Sequence, residues 1–118
     1  DIKNVKDSDY RAYEIRFKRA MDAASKIFGP HAFRKYYGPG FRLSPINKAL
    51  FETWAVNLGN RSTEQIEKLV AQKDAIKASF QKLMGDDQFL ESISQSTGSP
   101  KKVQLRFKCI NELLERWE

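Results

Sequence analysis

The stretch "SPINKALFETWAVNLGN" (residues 44–60) decides how this chain reads. Ser44 offers a capping hydroxyl, and Pro45 stands where a first helical residue has no intrahelical use for an N–H, so the pattern predicts a helix over about 45–58. Ile46, Ala49, Leu50, Phe51, Trp54, Ala55, Val56 and Leu58 spread apolar surface almost all round it. A helix without a polar face belongs in the middle of a bundle. Asn47 and Lys48, its few polar members near the start, then read as facing a cleft, and Gly59-Asn60 closes the element.

Working outward, Tyr10, Tyr13, Phe17, Ala20, Met21, Ala24, Ile27 and Phe28 keep helical spacing, which predicts a first helix over about 9–28, stopped by Gly29-Pro30. Residues 29–44 hold three glycines, two prolines and no usable period, so they form a loop that is long for a helix–helix connection. Phe33, Tyr36, Tyr37 and Phe41 give it apolar area to bury, so an ordered loop draped over the helices is expected. Beyond residue 60, Ser62 and Gln65 form a capping box ahead of a helix over about 63–84 that Gly85 ends. Asp86-Asp87 opens a short helix through Phe89, Leu90 and Ile93, with its acids at the positive end. "SQSTGSP" (94–100) is a polar linker, and Ser99-Pro100 repeats the cap read at Ser44-Pro45 before a last helix over about 100–117. The reading is a single all-α domain over 1–118: a bundle of four long helices plus one short helix, with a long ordered loop between helices 1 and 2.

A chain of 118 residues with 41% hydrophobic and 31% charged residues suits one folded domain with a real core. No apolar run approaches a membrane span and no signal peptide is visible, so no membrane partner is expected. Cys109 stands alone inside an apolar helical pattern, which reads as a buried thiol in a reducing cytoplasm. The start at Asp1 without methionine is read as a fragment of something longer.

The net charge of +6 is unevenly spread. Between Asp22 and Glu52 there is no acid, while Lys26, Arg34, Lys35, Arg42 and Lys48 lie there; between Glu91 and Glu112 the same holds around Lys101, Lys102, Arg106 and Lys108. Two such stretches either build a positive face for phosphate or simply form a solvated surface. Arg34, Lys35 and Arg42 flank Tyr36, Tyr37 and Phe41, placing charge for a nucleic-acid backbone beside rings for base stacking. Lys101 and Lys102 fall in the first turn of a helix, whose N–H groups favour anions. Arg34, Arg42 and Lys48 are expected to point the same way as Lys101, Lys102 and Arg106. Catalytic signatures are absent: His31 lacks metal-ligand neighbours and a marked nucleophile, "GPGF" (38–41) is a turn, and no phosphate loop or dinucleotide fingerprint occurs. No cofactor is expected in this chain.

"FGPHAFRKY" (28–36), "SPINKALFETWAV" (44–56), "DDQFLESISQSTGSPKKVQLRF" (86–107) and "INELLE" (110–115), taken in that order, resemble the helical C-terminal half of the prokaryotic GmrSD-type family. That family was long filed as a domain of unknown function with a ParB/sulfiredoxin-like N-terminal half. The corresponding residues are Phe33-Arg34, Ile46 to Glu52, and Phe89, Ser92, Ile93, Thr97, Lys101 or Lys102, Arg106 and Phe107, and the resemblance runs from about Ala20 to Leu114. It implies a parent whose N-terminal half carries nucleotide-binding and nuclease chemistry, with an Asp-Gly-Gln-Gln-Arg-like motif, in restriction of modified DNA and phage defence. The present sequence has no such motif, so the expectation is a non-catalytic accessory domain. The expected partners are that catalytic half and DNA. A free-standing nucleic-acid-binding module and a protein-interaction or dimerisation bundle are the alternatives.

Overall fold

The computed structural model describes residues 7–118; the start at Asp1 lies outside them. The described residues form helices joined by loops, with an isolated antiparallel bridge between Arg34 and Ile46 and no strand. The order is α1 (Asp7–Phe28), a 3-10 turn (Gly29–His31), α2 (Lys48–Gly59), α3 (Thr63–Ala71), α4 (Lys73–Leu83), α5 (Asp87–Ser92) and α6 (Pro100–Glu115). No helix among them is long and apolar enough to cross a membrane.

The apolar second helix takes the centre, packed against α1 and α6. Trp54 is fully buried, with the Phe28 ring 4.9 Å away and the Phe80 ring 5.3 Å away, both edge-on. Phe80 passes the contact on to Phe89 of α5 at 6.3 Å, so one aromatic cluster joins α1, α2, α4 and α5. Edge-to-face rings at these spacings add attraction beyond the area they bury. The polar members of α2 that point inward are satisfied within it: Thr53 Oγ1 donates to Ala49 O at 2.6 Å and Asn57 Nδ2 to Thr53 O at 2.9 Å.

Three details differ from the sequence reading. Helix α2 begins at Lys48, because Asn47 is the cap: its Oδ1 accepts from Leu50 N at 2.9 Å. Residues 44–46 run extended instead, and Ser44 offers its carbonyl to Arg34 Nη1 at 2.7 Å. Ser99 likewise makes no side-chain cap bond, although Pro100 does occupy the first turn of α6. The helix expected over 63–84 is divided at Gln72, so the four long helices become a more segmented set. No glycine or proline marks that break; Lys73 interrupts the apolar stripe there, and the bend lets both α3 and α4 pack on α1. The Ser62–Gln65 capping box forms on both sides, at 3.1 and 2.9 Å, and Asp86 caps α5 through Phe89 N at 3.0 Å.

Asn47 also donates from Nδ2 to Ile93 O at 2.8 Å, tying the start of α2 to the end of α5. Asn47→Ala removes both bonds and is expected to cost about 2 kcal/mol, a cap plus a part-buried hydrogen bond. Asn47→Asp keeps the cap acceptor but presents an oxygen to the Ile93 carbonyl, recovering part of that loss at most. Ser44→Ala stays within about 0.5 kcal/mol, as expected for a surface side chain outside the cap. Urea unfolding of the three variants orders them, and equal losses at Ser44 and Asn47 would return the cap to Ser44.

Candidate functional site

The loop between the 3-10 turn and α2 is held by Phe33, Arg34, Tyr36 and Gly38. Tyr36 is buried, edge-on to His31 at 5.0 Å and to Phe28 at 6.5 Å. Phe33 lays its ring on Phe51 at 4.8 Å while its carbonyl accepts from Asn47 N at 2.9 Å. These contacts hold Phe33 at φ +63°, a left-handed conformation that is costly for a bulky side chain. Arg34 reaches across the loop to Ser44 O, and Gly38, at φ +114°, sits where a Cβ would meet the Gln81 amide at 3.0 Å.

What remains faces outward. Tyr37, Phe41, Leu43 and Ile46 are exposed, Lys35 is half-exposed, and Arg42 and Lys48 stand in solvent. The Tyr37 and Phe41 rings lie 6.4 Å apart. The loop and the first residue of α2 therefore leave two rings, two aliphatic side chains and three cations uncovered, while Phe33, Arg34 and Tyr36 anchor the chain between them.

The second basic stretch is not deployed as expected. Arg106 is only 3% exposed, and its Nη1 donates to Ser92 O at 2.9 Å and Thr97 O at 2.7 Å. Burial lowers its pKa from the ordinary arginine value, with the Glu52 carboxylate acting the other way. It closes the linker between α5 and α6, so it does not point outward with the surface cations. Lys102 donates to Gln95 O at 2.6 Å and pairs with Glu91 at 3.4 Å, which leaves Lys101 as the solvated lysine of that first turn. Where the two stretches approach each other, they meet inside the fold, through Asn47 and the backbone around Ile93. Of the candidates, Lys35, Tyr37, Arg42, Lys48 and Lys101 are offered outward, while Arg34, Tyr36, Asn47 and Arg106 hold the frame.

Among the described residues, no group of three or more His, Cys, Asp or Glu is placed to hold a metal ion. Cys109 is half-buried; burial raises its thiol pKa first, with Asp86 and Glu112 adding to the rise and Lys108 opposing it. A thiol held protonated in this way is a poor nucleophile at neutral pH.

Two features escape sequence reading. Arg61 is buried and fully used: Nε pairs with Glu118 at 3.0 Å, Nη1 donates to Asn57 O at 3.0 Å, and Nη2 donates to Asn111 Oδ1 at 2.8 Å. Arg19 Nη1 donates to the Arg61 carbonyl at 2.8 Å, so this cluster ties the middle of α1 to the ends of α2 and α6. The second is an apolar strip on the first half of α1. Tyr10, Tyr13 and Phe17 share the core-facing stripe, but α1 outruns its neighbours there and the three rings stay open to solvent beside Val56.

Comparison with protein-family models, with curated proteins and with solved structures finds no match to this chain.

Arg106→Leu strands the Ser92 and Thr97 carbonyls and is expected to lower stability by about 2–3 kcal/mol, the range for hydrogen bonds to a charged group. Lys101→Ala is expected to be neutral within about 0.5 kcal/mol. Thermal unfolding followed by circular dichroism checks the pair. An Arg106 variant as stable as wild type would mean the side chain is not structural.

Proposed function

We propose that this chain is a non-catalytic helical accessory domain that docks, through the outward face of the loop over residues 32–47, onto the catalytic half of a DNA-targeting nuclease or NTPase of the restriction or phage-defence type. Its cations there contribute contacts to DNA or nucleotide. The observation that carries the reading is the division of labour within the loop. Phe33, Arg34 and Tyr36 are spent on rigidity, and Tyr37, Phe41, Leu43 and Ile46 are left exposed among Lys35, Arg42 and Lys48. Rigid loops bearing exposed apolar groups are where recognition residues concentrate, because the ordering cost is met before the partner arrives. The sequence resemblance supplies the identity of the partner.

A free-standing nucleic-acid-binding module is the second reading, favoured by the Tyr37–Phe41 ring pair beside Lys35 and Arg42, which has the composition of a stacking platform. The exposed Leu43 and Ile46 weigh against it, since a backbone-tracking groove has no use for them.

Two measurements separate the readings. In the docking reading, the family's N-terminal half supplied in trans is captured by this chain, and Phe41→Ser with Ile46→Ser abolishes capture. Fluorescence anisotropy with duplex and single-stranded DNA then shows at most weak binding for the isolated chain. In the free-standing reading, DNA binds the isolated chain and weakens steeply between about 50 and 200 mM salt, as counterion release requires. That binding is lost in Lys35→Ala with Arg42→Ala. Tight salt-sensitive DNA binding without capture of the partner would replace the first reading by the second.

A further inference from the structure

We propose, resting on the docking reading, that the backbone edge from Arg42 to Ile46 is a strand-pairing site, which takes an extended acidic segment of the partner polypeptide as an added strand.

The bridge between Arg34 and Ile46 sets the direction of that edge. Its bond is made by the flanking residues, Asn47 N donating to Phe33 O at 2.9 Å. In an antiparallel pair of this kind the two bridged residues turn their own N–H and C=O away from each other. Ile46 therefore offers both groups to the side opposite Arg34. Its neighbour Pro45 turns the other way, so the missing proline N–H takes no donor from the outer edge. Back to Arg42 the chain has no helix or turn, and Asn47 after it is extended, at φ −105° and ψ 119°. Ser44 spends its carbonyl on Arg34 Nη1. The N–H groups of Arg42, Leu43, Ser44 and Ile46 find no acceptor among the described residues. An exposed edge with unpaired backbone groups is a template on which another chain can add a strand.

The side chains choose the occupant. Arg42 and Lys48 stand exposed at the two ends of the edge, and neither enters an ion pair among the described residues. No acid lies between Asp22 and Glu52, and the Glu52 carboxylate bears on the buried Arg106. An acidic segment supplies the charge that both ends lack. Leu43 and Ile46, 49% and 61% exposed, fall on opposite faces of an extended stretch. A ligand lying flat on one face covers one of them, whereas a strand added beside the edge reaches both. Nucleic acid would use the cations and leave these two aliphatic groups in water. The base is set before the segment arrives, through Asn47 N on Phe33 O and the Phe33 ring on Phe51, so pairing orders only the incoming chain.

Amide NMR of the nitrogen-15-labelled full chain, titrated with the acetylated and amidated peptide Glu-Val-Glu-Val-Glu, tests this. The Ser44 and Ile46 amide signals are expected to move downfield and their hydrogen exchange to slow severalfold at saturation. The peptide Lys-Val-Lys-Val-Lys leaves them unmoved. Ile46→Pro removes one outer donor and abolishes the response, whereas Ile46→Val retains it. Arg42→Glu with Lys48→Glu leaves the backbone intact and reverses the preference toward the lysine peptide. No response at these amides into the millimolar range overturns the proposal. So does an equal response to both peptides, or an oligothymidylate that shifts Arg42 when the acidic peptide does not. Capture of the family's N-terminal half with Ser44 and Ile46 exchanging as fast as in the free chain keeps the docking reading and removes the strand pairing. Peptide pairing without that capture keeps the pairing and removes the docking partner.

Discussion

The structure depends on burying Trp54. An indole placed at the centre of a helix that is apolar nearly all round forces that helix inside, and everything else is arranged to cover it. Phe28 closes from the end of α1, Phe80 from α4, and Phe89 backs Phe80 from α5. A large-to-small change at such a ring costs about 3–5 kcal/mol, a sizeable part of the net stability of a domain this size. The glycine and proline that stop α1 follow from the same constraint. Phe28 sits on Trp54, so the chain has to turn immediately afterward, and the 3-10 turn at Gly29–His31 does so with Gly29 at φ +57°.

Polar links fix what the aromatic cluster leaves free. Asn47 caps α2 with one side-chain atom and grips the end of α5 with the other. Arg106 then closes the chain that leaves α5, and Arg61 ties the middle of α1 to the ends of α2 and α6. Arg61 is buried with all three of its nitrogens bonded, the condition under which a buried guanidinium is tolerated, whereas Arg106 bonds through Nη1 alone and keeps Nε buried without a partner. The consequence for function is positional. The connection between α1 and α2 begins at the Phe28 corner and ends at the Asn47 cap, both held by several contacts. Its outward residues are thus presented from a fixed base.

Helix content and the central place of the second helix were legible in the sequence because they rest on period and on apolar excess, which are local properties. The Ser62–Gln65 box and the Asp86 cap were legible for the same reason. Ser44-Pro45 misled because the cap grammar has two solutions three residues apart. Asn47 won through a tertiary bond to Ile93 that no local pattern encodes. The break at Gln72 has no breaker residue, and only the packing of both pieces on α1 accounts for it. On the candidate site, spacing grouped the cations in one loop but could not say which face inward. Arg34 and Arg106 differ from Arg42 and Lys101 only in having carbonyls within reach, Ser44 for one and Ser92 with Thr97 for the other. Arg61 went unnoticed because its partners, Asn111 and Glu118, lie some fifty residues away.

The same limit explains the α1 strip. Period alone says that Tyr10, Tyr13 and Phe17 belong with Ala20 and Phe28, and in direction they do; it cannot say where the covering helices end. The rings are not isolated from the rest, however. Phe17 lies 6.5 Å from Phe51, and Phe51 lies 4.8 Å from Phe33, so one aromatic row runs from the strip under α2 to the strained anchor of the loop. Phe17 therefore serves two surfaces, and altering it would disturb Phe51 and the loop together. Tyr13 stands one turn farther out, beyond that row and largely in solvent, and this separation leaves the loop indifferent to it.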